Sequence, residues 1–114
     1  MKIESSYPVI CTDNLSAARA FYSDYFDYDI TFETDWYISL KTKAEPGHEL
    51  ALLDYRHSSL PEGFRQPARG VLINLEVSDV DEVYAQLKAK GLTMVLDLKS
   101  EPWGQRHFIT QDPN

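Results

Sequence analysis

Tyr7-Pro8-Val9-Ile10-Cys11-Thr12-Asp13-Asn14-Leu15 opens as a short apolar run, partly β-branched, and closes on a residue suited to starting a helix. The run reads as a strand. Asn14 can cap the next segment, because its side-chain oxygen can accept from an orphan N–H of a helix's first turn. Leu15, Ala18, Tyr22 and Tyr25 then recur at helical spacing, with Phe21 and Phe26 widening the stripe. The same order returns later in the chain. Val71-Leu72-Ile73-Asn74-Leu75-Glu76-Val77 reads as a strand with Val71, Ile73, Leu75 and Val77 on one face. Ser78-Asp79 leads into a helix carrying Val80, Val83, Tyr84 and Leu87 on one side. Asp79 with Glu82 has the form of a capping box, and Gly91 is placed to stop the helix.

Superposing the caps Asn14 and Asp79 sets Tyr7 opposite Leu72, Leu15 opposite Val80 and Tyr22 opposite Leu87. A unit duplicated at nearly half the chain length is the economical explanation. Ile30 to Thr34 and Trp36 to Thr42 read as strands broken at Asp35, and Leu50-Ala51-Leu52-Leu53 as a fourth. Thr93 to Leu98 and Gln105 to Thr110 are strands of the second unit, joined through Pro102-Trp103-Gly104. The expected fold is α+β: paired βαβββ modules forming a curved mixed/antiparallel sheet around a cavity, with helices on the outside. One domain spans 1–114, with module one at 7–54, a linker at 55–69 and module two at 70–114. A ferredoxin-like sandwich is the rival, but it needs fewer strands than the signals at Trp36–Thr42 and Leu50–Leu53 supply.

Eighteen acidic against eleven basic residues give a net charge of −7, which repels phosphate backbones and anionic membranes. Nucleic acid and membrane are therefore not expected partners. Residues 1–6 lack the apolar core of a signal peptide. The single cysteine, Cys11, rules out an intrachain disulfide and suits a reducing compartment, so the expected location is cytoplasmic.

Tyr7-Pro8-Val9-Ile10 through Asp13-Asn14-Leu15, followed by Phe21-Tyr22, resembles the first module of the vicinal oxygen chelate superfamily of glyoxalases, bleomycin-resistance proteins and dioxygenases. Val77-Ser78-Asp79-Val80-Asp81 through Leu87 and Gly91 is similar to the start of its second module. Pro102-Trp103-Gly104-Gln105-Arg106-His107-Phe108, closing on Asp112-Pro113-Asn114, resembles its last hairpin. Members usually continue from Asp-Pro-Asn into glycine and an eighth strand. The resemblance thus implies that the last strand is missing from this chain and that the native sequence continues past Asn114. It also implies homodimerisation and a small-molecule cavity.

Enzymes of that superfamily hold a divalent metal with His or Glu on four strands. Carried over residue by residue, the resemblance places Tyr7, Ala51 and Leu72 at three of these positions, with Glu49 in place of Ala51 in a shifted register. Alanine and leucine cannot ligate, and neutral tyrosine is a rare ligand. The expected metal set is none, and the expected cofactor none. His48 and His57 lie in loops without a partner at ligand spacing, whereas His107 sits on a strand opposite the side of Phe108. Trp36 and Trp103 stand at strand–loop junctions rather than inside an apolar period. Asn74 and Glu76 interrupt an apolar strand on the face away from its helix. A few polar groups converging in an apolar cavity set ligand specificity. Tyr7, Trp36, Asn74, Trp103 and His107 are the expected ligand contacts, each weighed against a purely structural or solvated role. No catalytic residue is identifiable.

Three functional readings remain open. One is a metal-free protein binding a small flat or amphipathic molecule in an aromatic-lined cavity. The second is a metal-dependent lyase or dioxygenase of the same superfamily. The third is a dimeric interaction module with no ligand.

Overall fold

The computed structural model describes residues 1–114 and divides into two compact units. Unit 1 comprises Met1–Gly70 with Pro113–Asn114, and unit 2 comprises Val71–Asp112. The architecture is α+β, with two helices, a four-stranded mixed sheet and a two-stranded sheet.

Unit 1 contains β1 (Val9–Thr12), α1 (Leu15–Tyr25), β2 (Tyr28–Glu33), β3 (Tyr37–Thr42) and β4 (Glu49–Asp54). The sheet order is β1-β4-β3-β2, with β1 parallel to β4 and the other pairs antiparallel. The cap works as its residue type demands. Asn14 Oδ1 accepts from Ala17 N at 3.1 Å, and Thr12 Oγ1 accepts from Asn14 N at 3.1 Å, so the strand end and the helix start are tied together. Ile10, Ile38, Leu40, Leu50 and Leu52 form one buried row-set across the sheet, joined by Tyr28. Tyr28 meets Tyr22 of α1 edge to face at 5.7 Å, and Ala18, Phe21 and Tyr22 are the buried residues of that helix. This is the helix side of the sheet. An irregularity between Ile30 and Phe32 shifts the register of β2, so that Phe32 pairs with Ser39 on the far face and Glu33 pairs with Ile38 on the helix side. There Glu33 takes two hydrogen bonds from Arg19 of α1. Trp36, expected at the start of a strand, lies instead in the turn before β3. Thr34 Oγ1 organises that turn by accepting from the amides of Trp36 and Tyr37.

Unit 2 contains α2 (Val80–Ala89) and the antiparallel pair β5 (Met94–Ser100) and β6 (Arg106–Thr110). Asp79 Oδ1 accepts from Glu82 N at 3.1 Å, and Gly91 follows the helix with φ +89, the left-handed stop that favours glycine. Phe108 meets Tyr84 edge to face at 5.3 Å, Tyr84 donates to Asp97, and Arg106 forks onto Asp81. Arg106 and Phe108 therefore face α2.

One expected element is not a strand. Residues 71–77 pair with nothing, and Leu72 is 90% exposed rather than aligned with Tyr7 on an equivalent strand. The reason is visible in unit 1, where β1 obtains its backbone partners from β4. Unit 2 holds no strand corresponding to β4, and an apolar alternation cannot form a ladder without a neighbour to donate to. The match of Tyr7 to Leu72 thus survives as sequence spacing only.

The helix-side core of unit 1 should dominate its stability. Leu52→Ala, at a fully buried position, should cost about 2–5 kcal/mol, and Asn14→Ala about 1 kcal/mol. Denaturant unfolding of both variants checks the order. An Asn14→Ala loss equal to that of Leu52→Ala would refute it.

Candidate functional site

The face of the four-stranded sheet turned away from α1 carries a different chemistry from its helix side. Cross-strand pairing sets Val9 beside Ala51 and Ala51 beside Ser39, and sets Cys11 beside Leu53 and Leu53 beside Tyr37. Tyr7 precedes β1 on the same alternation and reaches the Tyr37 phenol, which also interacts with Ser39. Three hydroxyls thus gather over a floor of small and apolar side chains. Burial pushes the Tyr37 phenol up, Tyr7 adds to that, and Ser39 opposes it. Tyr37 is consequently a neutral donor and acceptor. Burial likewise pushes the Cys11 thiol up, so this cysteine is held in the unreactive thiol form. Ala51 and Leu53 are buried, whereas Tyr7, Val9 and Phe32 are exposed, so the face offers apolar surface around its hydroxyls.

Glu49, the one carboxylate near Ala51 on that face, stands directly across from Lys41. No three His, Cys, Asp or Glu side chains come together in a way that could hold a metal ion. Of the positions at which the resemblance implies a divalent ion, Tyr7 and Ala51 on this face offer one phenol and no other side-chain donor, which does not fit such an ion.

The aromatic candidates separate. Trp36 stacks flat on His57, with ring centroids 3.6 Å apart and planes 3° from parallel. Ser59 N donates to His57 Nδ1, which fixes the imidazole in that stack. One face of Trp36 is therefore already covered. Trp103 is the opposite case. It sits at the tip of the β5–β6 hairpin, 69% exposed, with its indole N–H donating to Gln105 Oε1 at 3.0 Å. The tip is rigid for its size: Glu101 N donates to Gln105 O, Gly104 N donates to Glu101 O, and Gly104 supplies φ +95.

His107 lies on β6 directly across from Lys99, on the face opposite Phe108. Its Nε2 is 3.3 Å from Glu101 Oε1, and Lys99 Nζ is 3.2 Å from the same oxygen. Burial alone would raise the Glu101 carboxyl, but its contacts with Lys99 and His107 outweigh that and hold it below its usual range. The Trp103 and His107 rings stand nearly perpendicular, with centroids 6.3 Å apart. Asn74, the remaining candidate, is exposed in the unpaired segment 71–77. The structure thus brings His107 and Trp103 together in unit 2 and gives Tyr37 two hydroxyl neighbours, Tyr7 and Ser39, in unit 1, while Asn74 joins neither the His107–Glu101 contact nor the Trp103 turn. Tyr37, Ser39, Lys99 and Glu101 were not legible as site residues. The available signal was hairpin register, since a tight Pro-Trp-Gly turn returns the chain so that Glu101 and His107 meet.

A shallow opening of about 400 Å³ also lies on the helix side of unit 1, between the start of α1 and the β2–β3 turn, rimmed by Asp13, Ser16, Arg19, Glu33 and Asp35. It contains none of the expected contacts.

No helix is long and apolar enough to cross a membrane. The chain belongs to the Glyoxalase/Bleomycin resistance protein/Dioxygenase superfamily, whose family model matches residues 5–114. A search of curated proteins finds no match. Among solved structures, a member of that superfamily from Sphaerobacter thermophilus is 24% identical, with 97% of this chain and 90% of that one covered at a TM-score of 0.75. A lactoylglutathione lyase from Agrobacterium tumefaciens is 21% identical, covering 98% and 88% at 0.67. A bleomycin resistance determinant encoded on the transposon Tn5 is 19% identical, covering 97% and 90% at 0.68. These likenesses show the fold.

The Glu101 cluster carries a pH prediction. Its folded pKa is depressed, so its contribution is present above the ordinary glutamate value of about 4.3 and is lost as pH falls through the folded value. Thermal unfolding across acidic pH should show a shallower loss for Glu101→Gln than for the wild type. Equal slopes would remove Glu101 from the account.

Proposed function

We propose that this protein binds a small, flat or amphipathic organic molecule without a metal ion. The observation carrying the proposal is the makeup of the sheet face turned away from α1. It offers the hydroxyls of Tyr7, Tyr37 and Ser39 over Ala51, Cys11 and Leu53, where a metal enzyme needs imidazoles and carboxylates. Neutral hydroxyls over an apolar floor suit hydrogen bonding to an uncharged or weakly polar ligand. In unit 2, Trp103 supplies a stacking surface, and in unit 1 Trp36 can offer only the face that His57 leaves uncovered. Asn74 contributes only if the segment carrying it is ordered alongside a strand. The lyase of known structure and the resistance determinant mark the two branches between which this site chooses, and its donor chemistry favours the binding branch.

Two measurements test this together. Elemental analysis of protein purified without chelator should give well below one equivalent of any divalent metal. Titration with anilinonaphthalenesulfonate should be about tenfold weaker for Trp103→Ala, near 1.4 kcal/mol once stacking and lost area are combined. A retained stoichiometric metal would overturn the first half, and unchanged affinity the second.

We propose also that the protein is a cytoplasmic homodimer. Val71, Leu72, Leu75 and Val77 expose a run of apolar surface that a monomer in water rarely leaves bare. Light scattering at micromolar concentration should give twice the chain mass, and a monomer there would refute it.

A further inference from the structure

We infer that His107, oriented by Glu101, is a proton-accepting contact for ligands that carry an acidic O–H or N–H on a flat ring. The inference rests on the ligand-binding reading above and specifies the ligand's chemistry in unit 2.

The carboxylate sets the arrangement. Glu101 has a side chain only 10% exposed and is flanked by Lys99, so it is held ionised. An ionised carboxylate accepts and cannot donate, so the 3.3 Å contact requires the proton on His107 Nε2. That choice leaves Nδ1 with a lone pair. His107 makes no other hydrogen bond within the chain, and its side chain is 22% exposed, so Nδ1 is the free acceptor of a partly sheltered imidazole. A carboxylate on the far nitrogen is the usual way of fixing an imidazole's tautomer and orientation. The titratable groups on this side of the hairpin are Glu101 and Lys99, while Arg106 is turned to Asp81 of α2.

Trp103 completes the geometry. Its ring is perpendicular to the imidazole, at 81°, and is pinned by Gln105. A flat ligand stacked on the indole therefore stands perpendicular to the imidazole, with its own rim, where a ring-borne O–H lies, beside His107. One proton then moves from the ligand oxygen to Nδ1. The products are a ligand anion and an imidazolium, the latter balanced by Glu101, and no other bond changes. Lys99 adds a second positive charge beside the pair.

The probes are para-nitrophenol and its methyl ether, para-nitroanisole, which has the same flat ring without the proton. Calorimetry on the full chain should give about tenfold tighter binding of the phenol by wild type. Bound phenol should show the phenolate absorbance below its solution pKa. His107→Phe should bind both probes equally, without the phenolate band. Independently of any ligand, long-range 1H–15N spectra should show His107 as the Nε2–H tautomer in wild type and a tautomer mixture in Glu101→Ala. Equal binding of phenol and ether by wild type overturns the proton-accepting role while leaving the ligand reading intact. An Nδ1–H tautomer does the same. Binding of neither probe overturns both.

Discussion

The parallel ladder between β1 and β4 ties the start of the chain to residues some forty positions later, and most of unit 1 depends on it. Once Val9–Thr12 is paired with Ala51–Asp54, the alternation of both strands is set. Ile10 and Leu52 must face α1, and Tyr7, Val9 and Ala51 must face away. A slip of one residue would exchange the two faces. It would bury the Tyr7 hydroxyl beneath the helix and turn Ile10 and Leu52 outward. The set of side chains that each face of the sheet presents is therefore a consequence of its register. Segment 71–77 shows the same constraint from the other side. It has the apolar alternation of a strand but no ladder, and so remains unpaired and exposed.

Both helices and their caps were legible in the sequence, because capping and helical periodicity are local. Asn14 and Asp79 accept from the amide three residues on, as their spacing requires. Five of the expected strands were legible within a residue or two for the same reason, and β1 was read two residues too long. What was not legible depends on partners distant in sequence. Nothing between Val71 and Val77 announces that its neighbour is lacking. The register shift after Ile30, which sends Glu33 back to Arg19, leaves no signature in composition. The candidate site divides along the same line. Tyr7, Trp103 and His107 could be picked from their positions at strand ends and on strand faces. Glu101 could not, because its meaning comes from the turn that carries it to His107.

Aromatic residues serve two purposes in this chain. Phe21, Tyr22, Tyr28, Tyr84 and Phe108 meet edge to face and lock each helix to its strands. Such pairs add about 0.5–1.5 kcal/mol each beyond area burial. Trp36 and Trp103 lie outside those clusters. The first is occupied by His57, and the second is held open by a turn that hydrogen-bonds its own backbone. An exposed indole next to a carboxylate-bound histidine adds little to stability, and the proposed recognition in unit 2 rests on this pair.

The central claim is that an organic ligand, not a metal ion, is the natural occupant of these faces. Mapping amide shifts of 15N-labelled protein, dialysed against chelator, on adding a library of flat aromatic molecules and then zinc tests it most directly. Ligand-induced shifts are predicted to concentrate at Tyr7, Tyr37, Ser39, Trp103 and His107, with only scattered surface changes from zinc. Saturable zinc shifts at Tyr7, Glu49 and Ala51, with none from any organic molecule, would contradict it.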